Sequence, residues 1–546
     1  MDTTTKGIQK QILLAVALTA GFTLTLTNAL QASDPGRRYL AVDQSLHAPG
    51  TTLNMVMGQA TDQQLVLMLE GQRDDWEQYN DFGLSSYTGS IIEDHEGKYR
   101  MYYRVVRPTG WSLEQYRTGE ISITWAMAMA VSEDGINWSK PALNVAPHLL
   151  KPGTPNWQQS NLIFLQPHPD MTDGKWYSSD GVYYDADASK EERYQLMWSR
   201  GHNVYVATSP DGLSFITRAL VFNHKADTKH TFFYDSTRDE YVIYGRKRGP
   251  RDWGFPGHPY EHRRGIAFHS SPNWTDSPWR TVGVVAADPL NKWDWGEYEP
   301  GDGRIRPDLY TPAVQSYYGQ YIGMPGIYFQ DESRQPVPRP DYHLGTGPIY
   351  PVLMHSNDGI NWTFPHPYHP IIELEPHERI SYHPEASYDG LEVGRIFVSN
   401  NFLEIDNQLL IYYANHTANE AEIHEDDRTR VHVAFLRVDG FASLRSAENQ
   451  AGEWRTPDIS VPVKARGLLV NANVTGSLRA EVVDAETGAP VPGLSLDNSV
   501  IFTGDDTGAY MKWKNAGIED VAGQDIQLRF EIEDGEIFSF SFTSIP

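Results

Sequence analysis

Three carboxylates stand where a loop gives way to a strand-like run: Asp227 in ADTKH, Asp308 in RPDLYTP and Glu385 in SYHPEASY. Hydrolysis of a glycosidic bond needs a proton donor and a second carboxylate across that bond, about 5–5.5 Å apart for retention and about 6.5–9.5 Å for inversion. Acids that open strands of neighbouring structural units meet this need when the units surround one pocket. Lys229 and His230 follow Asp227, and Tyr310 follows Asp308, so each acid has polar neighbours suited to binding sugar hydroxyls or tuning a proton. Most of the 71 Asp and Glu are solvated charges or turn caps. The aromatic strand starts behind Asp227 and Asp308 set these two apart, and Glu385 is the reserve.

A second constellation is GRKRGPRDWGFPGHPYEHRRG, Gly245 to Gly265, with Arg246, Lys247, Arg248, Arg251, Arg263 and Arg264 against Asp252 and Glu261. The planar fork of arginine matches carboxylate or sulfate bidentately. With Trp253, Phe255 and Tyr260 among the charges, the segment suits a sugar bearing an anionic group, and Arg246, Arg264 and Trp253 are its candidate contacts. The same residues support an alternative, a polysaccharide lyase in which Tyr310 or His230 takes a proton beside a carboxyl neutralised by Arg246 or Arg264. A third reading is a glycan-binding propeller without catalysis. The 19 His include no HExxH spacing, and there is no Cys, so no metal or other cofactor is expected apart from room for a structural divalent ion such as calcium.

The elements that must position these residues announce themselves by a recurring phrase. It reads SEDGINW at Ser132 to Trp138, SPDGLSF at Ser209 to Phe215 and SNDGINW at Ser356 to Trp362, with worn copies SSPNW at Ser270 and RVDGF at Arg437. Each copy follows an apolar run, and its Asp-Gly pair supplies the positive φ that turns one antiparallel strand into the next. Five such units of short period-2 strands predict an all-β fold with a five-bladed β-propeller. The first strand of each blade lines the central channel, which is why residues at strand openings are the candidates. Tyr87 and Thr88 are expected there in blade one, and Gln159 and Asn161 in blade two.

The boundaries expected are a signal peptide at 1–32, a leader packing on the propeller at 33–84, the catalytic propeller at 85–447 and a β-sandwich accessory domain at 455–546. The last follows from GLLVNANV, SLRAEVVDAETGAPV, IQLRFEIEDG and EIFSFSFTS, alternating strands behind the linker-like AENQAGEWRTPDI. Lys6 and Lys10 precede the apolar run Ile12 to Leu26, and Ala29 and Ala32 provide a small-residue exit, so secretion or periplasmic location is expected, with no membrane association after cleavage. A formal charge of −26 excludes a general phosphate-attracting field, so nucleic acid is not an expected partner.

The order of phrases GKYRMYYR, EERYQLMW, DTKHTFFYD with DEYVIYGR, DLYTP and RVDGFASL, followed by a sandwich ending FSFSF, resembles secreted bacterial five-bladed propeller glycosidases of the invertase-like and arabinanase-like kind. The resemblance implies a propeller that handles a polysaccharide or oligosaccharide. Its catalytic residues do not transfer by motif: Asn80-Asp81 is followed by Phe82 instead of Pro, and the Arg-Asp-Pro and Glu-Cys of invertases are absent. The function expected is a secreted glycoside hydrolase acting on an anionic glycan through paired carboxylates.

Overall fold

A computed structural model describes residues 36–68, 88–106, 125–146, 157–166, 178–200, 203–223, 226–248, 264–276, 278–286, 306–330, 349–366, 369–372, 395–416 and 430–545. The chain divides into two compact units, one from Met57–Phe441 and one combining Met1–Val56 with Ala442–Pro546. Apart from short 3-10 turns, the regular structure among the described residues is β-strand.

The larger unit is a five-bladed propeller. Blade one runs through Thr88–Glu93, Tyr99–Val106 and Trp125–Ser132, and blade two through Ser178–Tyr184, Tyr194–Arg200, Asn203–Ser209 and Ser214–Asn223. Blade three comprises Ala226–Asp235, Glu240–Arg248, Arg264–Ser271 and Arg280–Ala286. Blade four has three strands, each broken in the middle: Arg306–Leu309 with Val314–Tyr317, Gln320–Gly323 with Gly326–Gln330, and Ile349–Pro351 with Met354–Ser356. Pro312 and Pro325 fall in two of these breaks, where a missing N–H interrupts the ladder.

Blade five contains Arg395–Val398, Leu403–Ile405, Gln408–His416 and Arg430–Arg437, and its outer strand is Thr61–Met68, paired antiparallel to Arg430–Arg437. The described part of the expected leader therefore divides. Thr61–Met68 completes the last blade, whereas Arg38–Leu40 and Asn54–Met57 join the sheet of the smaller unit. That sheet also begins earlier than residue 455, since Ala442–Arg445 and Ala451–Arg455 both pair with Asp525–Thr543.

In the smaller unit Gly467–Asp484 and Asp525–Thr543 pair along their whole lengths and bend at register skips near Ala472 and Ser477. Such bulges bend the paired strands, and the strands of the smaller unit form one continuous eight-stranded sheet, with this long pair at its centre as the expected β-sandwich requires. Its core is built on Trp454, Phe530 and Phe540, with Tyr39 stacked on Phe540 at 4.6 Å.

The repeated phrase is the fastening between blades. In the full copies the aspartate accepts the next two turn amides, from Ile136 at 2.9 Å and Asn137 at 2.7 Å onto Asp134, and the same distances recur from Ile360 and Asn361 onto Asp358. Gly135, Gly212 and Gly359 have φ of +75°, +74° and +69°, and a Cβ on any of them would strike a tyrosine hydroxyl of the neighbouring blade. That hydroxyl donates to the glycine carbonyl: Tyr412 to Gly135 at 2.6 Å, Tyr102 to Gly212 at 3.1 Å, Tyr244 to Gly359 at 2.8 Å. Beside two of these turns lies an Asp-Arg pair. Arg100 bonds Asp94 at 2.7 Å and the Asp211 carbonyl at 2.5 Å, and Arg238 lies 3.3 Å from Asp235 and donates to the Asp358 carbonyl.

Candidate functional site

The inner strands meet at a plug. Asn400 of blade five donates its side-chain amide to the His230 carbonyl of blade three at 3.0 Å and to Ser90 Oγ of blade one at 3.4 Å. Ser90 Oγ in turn accepts Val182 N of blade two at 3.2 Å, and Thr231 Oγ1 accepts Val314 N of blade four at 3.4 Å. Blades three and five are not neighbours, so the Asn400–His230 contact crosses the propeller axis. Gly181 makes the closure tight, because a side chain there would collide with the Asn400 amide and the Ser90 hydroxyl. The residues just ahead of the plug on the inner strands are the segments that hold the strand-opening candidates.

In blade three that segment is a wide bulge. Ala226 pairs with Lys247 and His230 with Gly245, so residues 227–229 oppose the single residue Arg246. Bulges of this kind re-aim side chains and occur beside active sites. Lys229 sits in the bulge at φ +67°, fully buried, with its ammonium donating to the Val398 carbonyl of blade five. A left-handed lysine costs about 1–3 kcal/mol and persists only where its surroundings over-determine it. His230 is likewise fully buried, its imidazole laid over Gly245, where a Cβ would meet the ring at 2.6 Å.

Arg246 lies in the strand Glu240–Arg248 and is 1% exposed. Its guanidinium carbon stands 4.3 Å from the ring centroid of Tyr310 in blade four. The half-buried Tyr310 ring also packs on Tyr328 at 5.5 Å and on Phe397 of blade five at 5.8 Å. The strand is buried on both faces from Val242 to Arg246; Arg246 is two residues beyond Tyr244 and shares its face, and Tyr244 carries the hydroxyl that fastens the next blade.

The structure thus joins Lys229, His230, Arg246 and Tyr310 around blades three to five. Asp227 is placed in the bulge and Asp308 in Arg306–Leu309, opposite Tyr328, by their backbone register, and their side chains lie outside the described residues. Arg264 opens the third strand of blade three opposite Arg248, again with its side chain outside the description. Trp253, Glu385 and Tyr87 lie outside the described residues altogether.

Blade two corrects the sequence reading. Its inner strand is Ser178–Tyr184, whereas Gln159 is exposed and Asn161 is buried, donating to Tyr103 Oη and the Met129 carbonyl at 2.7 Å each. The segment 157–166 runs at blade edges: Leu162 bridges Ala128, and Phe164–Gln166 pairs parallel to Ser214–Ile216. Asp180, which the sequence reading passed over, stands at the register skip between Ser179 and Gly181, one residue from the plug. The Asp-Gly step inside SSDGVYY is the available signal, since it resembles a turn and here marks a bulge instead.

No protein-family model matches the chain, and no curated protein matches it. Among solved structures, a glycosyl hydrolase from Bacteroides ovatus is similar at 11% identity, covering 70% of this chain and 94% of that one, with a TM-score of 0.39. An N-acetylgalactosamine deacetylase from F. plautii in complex with blood group B trisaccharide is 15% identical, covering 76% and 97%, with a TM-score of 0.36. A family 43 arabinoxylan arabinofuranohydrolase from Bacillus subtilis in complex with cellotetraose is 11% identical, covering 87% and 99%, with a TM-score of 0.33. The five-bladed fold rests on the strand order given above.

Proposed function

We propose that the propeller is a glycoside hydrolase acting on a polysaccharide or oligosaccharide, with Asp227 and Asp308 as its paired carboxylates. The observation that carries this is the contact of Arg246 with Tyr310. Arg246 is the residue across the ladder from the Asp227 bulge, and Tyr310 is two residues beyond Asp308, so one contact ties together the two acid-bearing segments on adjacent blades. Two carboxylates close together in a partly desolvated pocket do not both ionise easily, which makes one a proton donor beside a charged partner. Asp180 and Glu385 are the further acids to test at this pocket.

An anionic substituent on the substrate, sulfate or carboxylate, is supported by the basic run between Gly245 and Gly265, with Arg264 and Trp253 as proposed contacts. Lys229 and His230 hold the pocket floor. Secretion or a periplasmic location is proposed from the apolar run Ile12 to Leu26. The lyase alternative keeps Tyr310 beside an arginine but loses His230 as a base, because that imidazole lies buried over Gly245. The deciding experiment incubates the purified chain with sulfated, uronic and neutral glycans and resolves products by mass. New reducing ends without unsaturated products support hydrolysis, unsaturated products support the lyase, and retention on a glycan column without any product supports binding alone.

A further inference from the structure

The seam between blades two and three lacks the tyrosine-to-glycine fastening found at three other seams. In YRMY and YVIY the tyrosine that holds the next blade's turn, Tyr102 or Tyr244, ends the phrase. Blade two reads YQLM at Tyr194 to Met197, and the turn of blade three, SSPNW, has no glycine to receive a hydroxyl. Met197 joins Val206, Phe232, Ile243 and Trp274 in an apolar cluster instead. Where the inner strands Ser178–Tyr184 and Ala226–Asp235 close, at the opposite strand end from Asp227, this apolar seam turns polar.

Gln195 is the odd residue there. Its ladder partner is Tyr183, so the two side chains share a face, and Tyr183 meets Phe232 of blade three at 6.2 Å, which turns that face towards blade three. Gln195 is fully buried, and neither its amide nitrogen nor its amide oxygen makes a well-formed hydrogen bond, although the Tyr241 hydroxyl lies near it. A buried carboxamide in this state is destabilising unless something completes its hydrogen bonds. Gln195 therefore marks a place for an occupant.

The groups around that amide describe the occupant. Tyr241 donates to Asp185 Oδ2 at 2.9 Å, and Tyr234 donates to Asp239. The rings of Tyr234 and Tyr241 meet edge to face at 5.1 Å. Burial raises the Tyr183 pKa, and the Asp185 charge raises it further, so the negative field of the acid reaches this third phenol. Asp185 Oδ1 accepts the Asp187 and Ala188 amides, and among the described residues no Lys or Arg pairs with Asp185 or Asp239. Arg218, a cation that reaches this face from Ser214–Asn223, bonds Thr208 Oγ1 at 2.8 Å. Carboxylates without a cation, set beside tyrosine rings, attract an ammonium group. An amide with donor and acceptor both open suits the hydroxyls next to that ammonium.

We propose that the closing end of the seam between blades two and three binds an amino sugar, its ammonium held by Asp185 and the rings of Tyr234 and Tyr241 and a hydroxyl held by Gln195. The site is separate from the strand-opening acids and does not rest on the hydrolase reading.

The test is calorimetric titration of the full chain with glucosamine at ~pH 6, between the ordinary carboxylate and amine ranges. Glucosamine should bind saturably. N-acetylglucosamine, which has no charge, and methylammonium, which has no hydroxyls, should each bind at least ~10-fold more weakly. Asp185→Asn keeps an acceptor for the turn amides, so it should weaken glucosamine at least ~10-fold with the thermal midpoint nearly unchanged. Gln195→Leu should also weaken glucosamine while the midpoint holds or rises, because the unsatisfied amide is gone. A lowered midpoint or a failure to fold in Gln195→Leu would mean that the amide is already satisfied inside the protein, which overturns the proposal. So would the absence of saturable glucosamine binding, equal affinity for either control compound, or full affinity in Asp185→Asn.

Discussion

Phe215→Ala measures how firmly the repeated turn holds one blade to the next. Phe215 closes the turn of blade two, is fully buried, and meets Tyr102 of blade one edge-on, with centroids 6.5 Å apart at 82°. Truncating a buried phenylalanine costs about 3–5 kcal/mol, of which about 0.5–1.5 kcal/mol belongs to the aromatic pair itself. Trp138 and Trp362 hold the same place against Tyr412 and Tyr244, both T-shaped at 5.9 Å, but both are half-buried. Their indole N–H groups bond their own turns, at 2.8 Å to Gly135 O and 3.1 Å to Gly359 O. Half a ring of burial plus one hydrogen bond predicts a smaller loss at each, about 1.5–3 kcal/mol. Urea unfolding followed by circular dichroism gives the three values, and a double-mutant cycle of Phe215→Ala with Tyr102→Leu should show coupling of at least ~0.5 kcal/mol. A loss below about 1 kcal/mol for Phe215→Ala, or additivity in the cycle, refutes the fastening.

The Asp94–Arg100 clasp predicts acid sensitivity. Burial alone would raise the Asp94 carboxyl, but the Lys98 and Glu96 amides and Arg100 together bring its pKa below the ordinary value. Its contribution is therefore full above the usual aspartate pKa and lost as pH falls, so the midpoint gap between wild type and Asp94→Asn should close towards ~pH 3, and a constant gap would contradict the ionic reading. Gly245→Ala drives a methyl into the His230 ring and should cost about 1–3 kcal/mol, with a matching shift in the His230 imidazole resonances. Unchanged stability and resonances would mean that the ring does not lie over Gly245.

The blade turns were legible because their chemistry is local. Asp134, Asp211 and Asp358 bond amides two and three residues on, and the glycine that follows each takes the positive φ the phrase predicts. What the sequence hid is non-local. Thr61–Met68 reads TDQQLVLM, a polar half followed by an apolar half, and only its pairing with residues near Val431, far along the chain, makes it the outer strand of blade five. Residues 157–166 have the pattern of an inner strand, yet a parallel partner in Ser214–Ile216 places them at an edge. Arg246 opens a charged run and so resembles a solvated loop residue, whereas it ends a stretch of strand, Val242 to Arg246, that is buried on both faces. The candidate acids were found by position alone, and the bulge that singles out Asp227 depends on a register invisible without its partner strand.

Turnover by Asp227→Asn and Asp308→Asn, on whichever glycan the wild type cleaves, tests the central claim most directly. Each should lose at least ~10²-fold in kcat with the thermal midpoint nearly unchanged, since general acid or base catalysis is removed while the fold is kept. Wild-type turnover in both variants would contradict the two-aspartate pocket and pass the assignment to Asp180 and Glu385.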